Sequence, residues 1–201
     1  APAQAVVGDF HGLNTLEHQP TKVAAMEGNW ETSRNVPLLL FAIPDQENQT
    51  NHFEIGIPSL ASLILTHEWD GEVPGLNEVA VEEQPPVAIV FWSFRIMVGL
   101  GMFFILLTAT FFYLSARHQL DRYPWLLKLA VFSIPLPWIA AEAGWIVAEV
   151  GRQPWVIEGV LPTAAAVSDL GATTVLFTIA GFAAIYTVLF IIEMTLMLAA
   201  I

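Results

Sequence analysis

The apolar positions of this chain gather into three long runs, all in its second half. From Val87 to Tyr113 the only fully charged residue is Arg95. About 27 helical residues reach roughly 40 Å, enough to cross a bilayer with some tilt. A second run, Trp125 to Val150, is interrupted by Pro135 and Pro137, which should kink a helix where neighbouring groups satisfy the freed carbonyls. The third extends from Ala172 to Ile201, carries Glu193 near its end, and is preceded by Ser168 and Asp169 as cap residues. The pattern predicts an all-α membrane protein with about three transmembrane helices, over 87–113, 125–150 and 172–201.

Residues 1–86 read differently. Pro20, Pro37, Pro44, Pro58, Pro74, Pro85 and Pro86 break them repeatedly, so this region is expected to be mostly loop. Two short helices are predicted inside it. One covers Thr21 to Glu31; the other, with Phe53, Ile57, Leu60 and Ile64 at helical intervals, is an amphipathic surface helix over 53–65. Two domains follow: an outer loop, 1–86, and a transmembrane part, 87–201.

Composition agrees with a membrane protein, since 55% of residues are hydrophobic, 13% are charged and the mean hydropathy is +0.60. The net charge of -12 changes the picture more, because it is unevenly placed. Residues 1–86 hold 13 acidic and 2 basic side chains, whereas 87–201 hold 6 and 5. No basic patch exists to neutralise phosphates, which argues against a nucleic-acid partner. Arg117, His118, Arg122 and Lys128 cluster between the first two spans, so that connection is expected on the cytoplasmic side and the acidic segment on the outer side. With no cysteine, thiolate metal sites and disulfides are excluded. The chain opens at Ala1 without a basic n-region or an apolar h-region, and is expected to be a piece of a longer protein.

Ions inside spans are costly and are functional candidates by default. Glu142, Trp145 and Glu149 fall at i, i+3 and i+7 and share a helix face, with Arg152 continuing the stripe, so a polar seam is expected to point into the protein. Glu149 can be an ion-pair partner of Arg152, or a carboxylate that ligates a metal or carries protons. Arg95 and Met97 are about 200° apart on a helix and must address different neighbours. Met97 can pack, or offer its sulfur to haem iron. In the outer segment Lys22 and Glu27 form either a solvated face or a pair that binds a quinol headgroup and takes its protons. The five histidines all lie outside the predicted spans.

Several longer words now carry a resemblance. GRQPW at 151–155, GWIVAE at 144–149, FRIMVG at 94–99, TKVAAMEGNWET at 21–32 and FAIPDQENQTNHFEIGIP at 41–58 stand in an order that resembles subunit I of the cytochrome bd-type quinol oxidases, across nearly the whole chain. The resemblance implies that Met97 is an axial ligand of a low-spin haem b with Arg95 beside it. It also implies that Glu149 ligates a high-spin haem b, with Trp145 among the haems and Arg152 supporting them electrostatically. Lys22, Glu27 and Asp9 would form the quinol site. The short, continuous stretch from Thr32 to Phe94 resembles the short-loop, cyanide-insensitive branch, in which the oxygen-reducing group is haem d or a further haem b. The family's histidine ligands would come from earlier helices, this chain corresponding to the quinol loop and the last three of nine helices.

The implied function is oxidation of ubiquinol or menaquinol at the outer face and reduction of O2 to water. The implied partners are a second oxidase subunit, the remaining N-terminal part of subunit I and the lipid of a bacterial inner membrane, with the loop in the periplasm. The rival reading is a non-redox transporter or channel subunit in which Glu142 and Glu149 relay ions and Met97 packs; a purely structural partner subunit is a third.

Overall fold

The structure, a computed structural model, describes residues 2–199. It divides into two compact units, residues 1–164 and 165–201. The second consists mainly of α7 (Ala172–Ala199), an apolar helix long enough to cross a membrane. This third predicted span starts where expected, three residues beyond Asp169, and its last two predicted residues lie outside the described ones.

In the first unit α4 (Val87–Ala116) runs for 30 residues, about 45 Å at the helical rise. The second predicted span is two helices, α5 (Pro124–Phe132) and α6 (Leu136–Val150), bent by 42° at their junction. The kink falls where prolines 135 and 137 lack amide hydrogens, and the carbonyls left over, Val131 and Ser133, accept instead from the amides of Ile134 at 3.2 Å and Leu136 at 3.1 Å. α6 lies alongside α4. Ala143 and Val147 are buried, and a Cβ placed on Gly144 would come within 3.0 Å of Met97 Sδ, so the absence of a side chain there sets how closely the two spans approach.

The segment before α4, expected on the outer side, is far more ordered than a loop. It contains α1 (Pro2–His18), α2 (Pro20–Glu27), β1 (Ser33–Arg34), β2 (Leu38–Asp45), β3 (Thr50–Ile57), α3 (Leu60–Thr66) and β4 (Glu72–Val73). The helix expected over Thr21 to Glu31 is present but shorter, because Gly28 adopts a left-handed conformation (φ 69°) and its neighbour's amide, Asn29 N–H, closes the turn onto the Ala24 carbonyl at 2.8 Å. The amphipathic helix expected over 53–65 is not formed as such. Its first half is strand β3, antiparallel to β2, and only Leu60–Thr66 is helical. Pro58 and the left-handed Ser59 (φ 58°) divide the two, and Phe53, Ile55 and Ile57 alternate with Glu54 and Gly56 at the two-residue period of a strand. The chain is therefore mostly helical rather than all-α. Three two-stranded antiparallel sheets are present: β1 with β4, β2 with β3, and β5 (Trp155–Ile157) with β6 (Leu161–Pro162).

What positions the site is the way this segment is packed onto the beginning of α4. Val87 and Val90 are fully buried in one cluster with Ala24, Ala25, Trp30 and Leu76, against which Met26 and Val150 also pack. Phe91 joins Leu39 and Ala42 of the hairpin. The tip of that hairpin is tied by Asp45, whose carboxylate accepts from Asn48 and from the Glu47 amide, hydrogen bonds that hold its pKa down to about 2.

Gly75 sits where the chain returns beside residues 31 and 32, and a Cβ there would meet the Glu31 carbonyl carbon at 2.3 Å and the Thr32 nitrogen at 2.4 Å. These are backbone atoms that cannot swing aside. Gly75→Ala should therefore destabilise the outer segment by about 1–3 kcal/mol, seen as faster proteolysis of residues 28–84 with the spans still protected. Wild-type resistance would show that this turn does not hold the segment down.

Candidate functional site

Arg95 projects from the third turn of α4 into the outer segment, where its side chain is 10% exposed. Its Nε donates to the Leu39 carbonyl at 2.9 Å, Nη1 to the Met26 carbonyl, and Nη2 to Glu27 Oε2 at 3.3 Å. The guanidinium carbon lies 3.5 Å from the centroid of the Phe91 ring. Glu27, at the C-terminus of α2, is 6% exposed. Burial pushes its pKa up, and the neighbouring guanidinium opposes the shift only in part. Among the described residues only Oε2 is engaged by a partner; Oε1 has none.

Glu27 also lines a cleft of about 340 Å³ between the end of α2 and the hairpin. Asn51 organises its wall. The amide donates to the Gly28 carbonyl at 2.9 Å and to Glu54 Oε1 at 3.0 Å, while Oδ1 accepts from Trp30 Nε1 at 2.9 Å.

Lys22 points elsewhere. Five positions on an eight-residue helix place it about 140° from Glu27, and its stem rests on Gly151, whose Cβ position is 3.1 Å from Lys22 Cγ. The ammonium is half-buried and its pKa is lowered, by burial first and by Arg152 next; Glu158 and Glu149 oppose this. Burial raises the pKa of Glu158, in the β5–β6 turn, and Lys22 opposes that shift. Lys22 and Glu27 thus border two different environments, one at the end of α6 and one at the start of α4. Asp9 lies apart from both, on α1, with its Oδ2 3.4 Å from His67 Nε2 at the end of α3.

On α6 the stripe of Glu142, Trp145 and Glu149 faces away from α4. Trp145 is 62% exposed, and Glu142 is exposed as well. The small residues Ala143 and Gly144 draw the opposite side of α6 onto α4 and turn the polar stripe outward. Glu149 is paired with Arg152 one turn on, both about two-fifths exposed. Gln153 Nε2 donates to the Glu149 carbonyl at 3.2 Å, and Thr163 Oγ1 to Gln153 Oε1 at 2.8 Å, which ties the GRQPW segment to the β5–β6 hairpin. Met97 faces Gly144 at the α4–α6 seam, so the thioether and the Glu149 carboxylate present themselves on different faces.

Trp30, Asn51, Glu54 and Glu158 were not singled out by sequence. No spacing links Asn51 to Gly28 or Glu158 to Lys22, because these contacts are made by chain segments far apart in sequence. The only available hint was the alternation of Phe53, Glu54 and Ile55, which marks Glu54 as the polar side of a strand.

Long apolar helices, one of them kinked, and an N-terminal segment fastened to α4 through the buried Glu27–Arg95 pair define a helical membrane protein. The chain belongs to the cytochrome bd terminal oxidase subunit I family, whose sequence profile matches residues 1–201. It is 32% identical to the cytochrome bd-II ubiquinol oxidase subunit 1 of Escherichia coli (strain K12), over 95% of this chain and 50% of that protein. With the cytochrome bd ubiquinol oxidase subunit 1 of Bacillus subtilis (strain 168) it shares 36% identity, over 90% of this chain and 41% of that protein. The bd oxidase structure from Geobacillus thermodenitrificans superposes with a TM-score of 0.80 at 34% identity, covering 96% of this chain and 44% of that one. The chain thus spans about half the length, or less, of the relatives it matches. The E. coli alignment extends over 257 positions, more than the 201 residues here, so that relative carries an insertion of some tens of residues; the B. subtilis alignment covers 193.

Removing Arg95 leaves Glu27 as a buried carboxylate without its cation. Arg95→Leu should lower the stability of the folded chain by about 3–5 kcal/mol, read as a drop in the melting temperature of the detergent-solubilised protein. The double variant with Glu27→Gln should recover part of that loss, and equal melting of the single and double variants would show that the pair is not coupled.

Proposed function

We propose that this chain is part of the haem-bearing subunit of a membrane quinol:O2 oxidoreductase, providing the quinol loop and the last spans. The single observation that carries the reading is the Glu27–Arg95 pair. A nearly buried carboxylate with one free oxygen, suited to taking a proton, is fixed to the same helix turn that presents Met97. In the transporter reading Met97 and Trp145 have no role, and the family match over the whole chain weighs against it.

The donor set fits haem. Met97 offers a thioether and Glu149 an accessible carboxylate, on separate faces, so they would hold two groups rather than one, a low-spin and a high-spin haem b. Haem, when bound, supplies reversible one-electron transfer and an iron at which O2 is reduced. Trp145, on the open face of α6 beside Glu149, would pack against the second group. Arg152, now held by Glu149, would keep a positive charge near it. A third group, haem d or a further haem b, belongs to the remainder of subunit I.

At the outer loop, quinol gives up two electrons and two protons, and two quinols are needed for each O2 reduced to two waters. Glu27 takes a proton from the quinol hydroxyl, and Arg95 stabilises the carboxylate when it is ionised. Lys22 can donate to a quinone oxygen from the α6 side, and the burial that lowers its pKa makes its ammonium a readier donor. Asp9 is a more distant member of the same loop. The cations Arg117 and Arg122 between α4 and α5, with Lys128 in α5, support a cytoplasmic connection, hence a periplasmic loop in a bacterial inner membrane. Protons would then be released outside and taken up from inside, building a gradient. Ubiquinol and menaquinol are both admissible substrates, and a second oxidase subunit would complete the assembly. The alignment with the E. coli relative is longer than this chain by some tens of positions, in keeping with the short-loop branch.

Two substitutions in the full oxidase test the reading. Met97→Leu keeps size and apolarity but removes the sulfur, so the reduced-minus-oxidised spectrum should lose its low-spin component while the subunit still inserts. An unchanged low-spin signal would remove Met97 from the ligand set. Glu149→Gln should selectively deplete the high-spin haem b and abolish O2 reduction with the low-spin haem retained. A full haem complement with only a lowered melting temperature would leave Glu149 as a partner of Arg152 and nothing more.

A further inference from the structure

The cleft beside Glu27 has two further carboxylates, Glu31 and Glu54, and the way Glu54 is held gives it a task. Glu27 is 94% removed from solvent and leaves Oε1 without a protein partner, while the same residue lines the cleft of about 340 Å³. Such a volume holds several water molecules at about 30 Å³ each. Across it stands Glu54, exposed on β3, whose only hydrogen bond among the described residues comes from Asn51 Nδ2 at 3.0 Å. Asn51 is itself immobilised at both ends of its amide, by Trp30 Nε1 and by the Gly28 carbonyl, the residue directly after Glu27. Glu54 is therefore fixed at the solvent rim of a polar cleft whose inner wall includes the buried acid. Glu31 borders the same cleft without a side-chain hydrogen bond of its own and serves as the contrast.

We propose that Glu54, oriented by Asn51, is the outer proton acceptor served by Glu27 across this cleft. The inference rests on the quinol-oxidase reading. A quinol hydroxyl gives its proton to the Glu27 carboxylate. Glu27 hands it to water in the cleft, water passes it to the Glu54 carboxylate, and Glu54 releases it to the outer solution. Both carboxylates return to their starting state after each proton, and the relay runs twice per quinol, once for each of the two protons released as the two electrons leave through the oxidase. Asn51 is a positioning residue: it carries no proton but holds Glu54 at the rim. Neutral Gln at position 54 keeps the hydrogen bond and removes the acceptor.

The test is steady-state turnover of the complete membrane oxidase with short-tail ubiquinol and menaquinol, comparing wild type with Glu54→Gln, Glu54→Asp, Asn51→Ala and Glu31→Gln. Haem content is measured in each preparation. The expected result for Glu54→Gln is a fall in kcat of about tenfold, below the ~10²–10⁴ typical of a directly acting acid or base because water remains a competing acceptor. KM and haem content should stay near wild type. Raising the concentration of a small buffer such as imidazole should restore turnover in Glu54→Gln and leave wild type unchanged; a structural loss would not respond. Glu54→Asp should retain most activity, Asn51→Ala should fall in the same direction, and Glu31→Gln should match wild type. Wild-type kcat in Glu54→Gln, or an equal fall in Glu31→Gln, overturns the assignment with the quinol reading intact. A wild-type oxidase that fills with haem yet oxidises neither quinol overturns both.

Discussion

A guanidinium removed from water near the top of a membrane helix is the constraint on which the rest depends. Arg95 cannot lose its charge and carries five donors in a rigid plane, so some part of the protein has to meet it. The spans offer almost nothing for this purpose, since α4 has no acid. The outer segment answers with two carbonyls, Met26 and Leu39, and one carboxylate, Glu27, while Phe91 covers the cation's face. Docking of α2 and of the hairpin is thus the same event as satisfying Arg95. A lysine, with a compact point charge, would not span these directions, and an apolar residue would leave Glu27 stranded.

The apolar packing around this ion follows from it. Val87, Val90 and Phe91 lie one to two turns before Arg95 and are fully buried, although they begin a helix whose later turns are largely exposed in the isolated chain. Gly28 is required at the junction for two reasons: its φ of 69° ends α2, and the Phe91 ring lies 3.1 Å from where a Cβ would be. The glycine after Glu27 therefore both stops the helix at the acid and lets the acid approach α4.

The spans were legible because they need only composition and length, and the kink because prolines 135 and 137 announce it. α2 was legible as a helix after Pro20 but not in its end, since the expected helix ran through Gly28 to Glu31. The hairpin was not, since Phe53, Ile55 and Ile57 sit on an exposed face (79%, 62% and 44%), where apolar residues give a misleading core signal and match a helical spacing with Leu60 and Ile64 equally well. α1 was missed because it lacks a clear apolar stripe. At the site, the residue types were readable but not their pairings. Glu27 meets Arg95 across 68 positions, and only packing can decide that. The ion pair of Glu149 with Arg152 was within reach of helical spacing alone, being three residues apart.

Lys22 and Glu27 stand five positions apart on α2. On an eight-residue helix that spacing sends one side chain to each of two spans. Glu27 fastens to Arg95, two residues before Met97, and Lys22 rests on Gly151, two residues after Glu149. Each candidate iron ligand is thereby two positions from an anchor of the same short helix. Any change in the relative placement of α4 and α6 must be felt at α2, and the loop cannot settle on one span without being held to the other. This explains why so acidic and proline-broken a segment is ordered at all: its apolar core is small, and two charged side chains, reaching in different directions from α2, register it against the spans where electrons would be received.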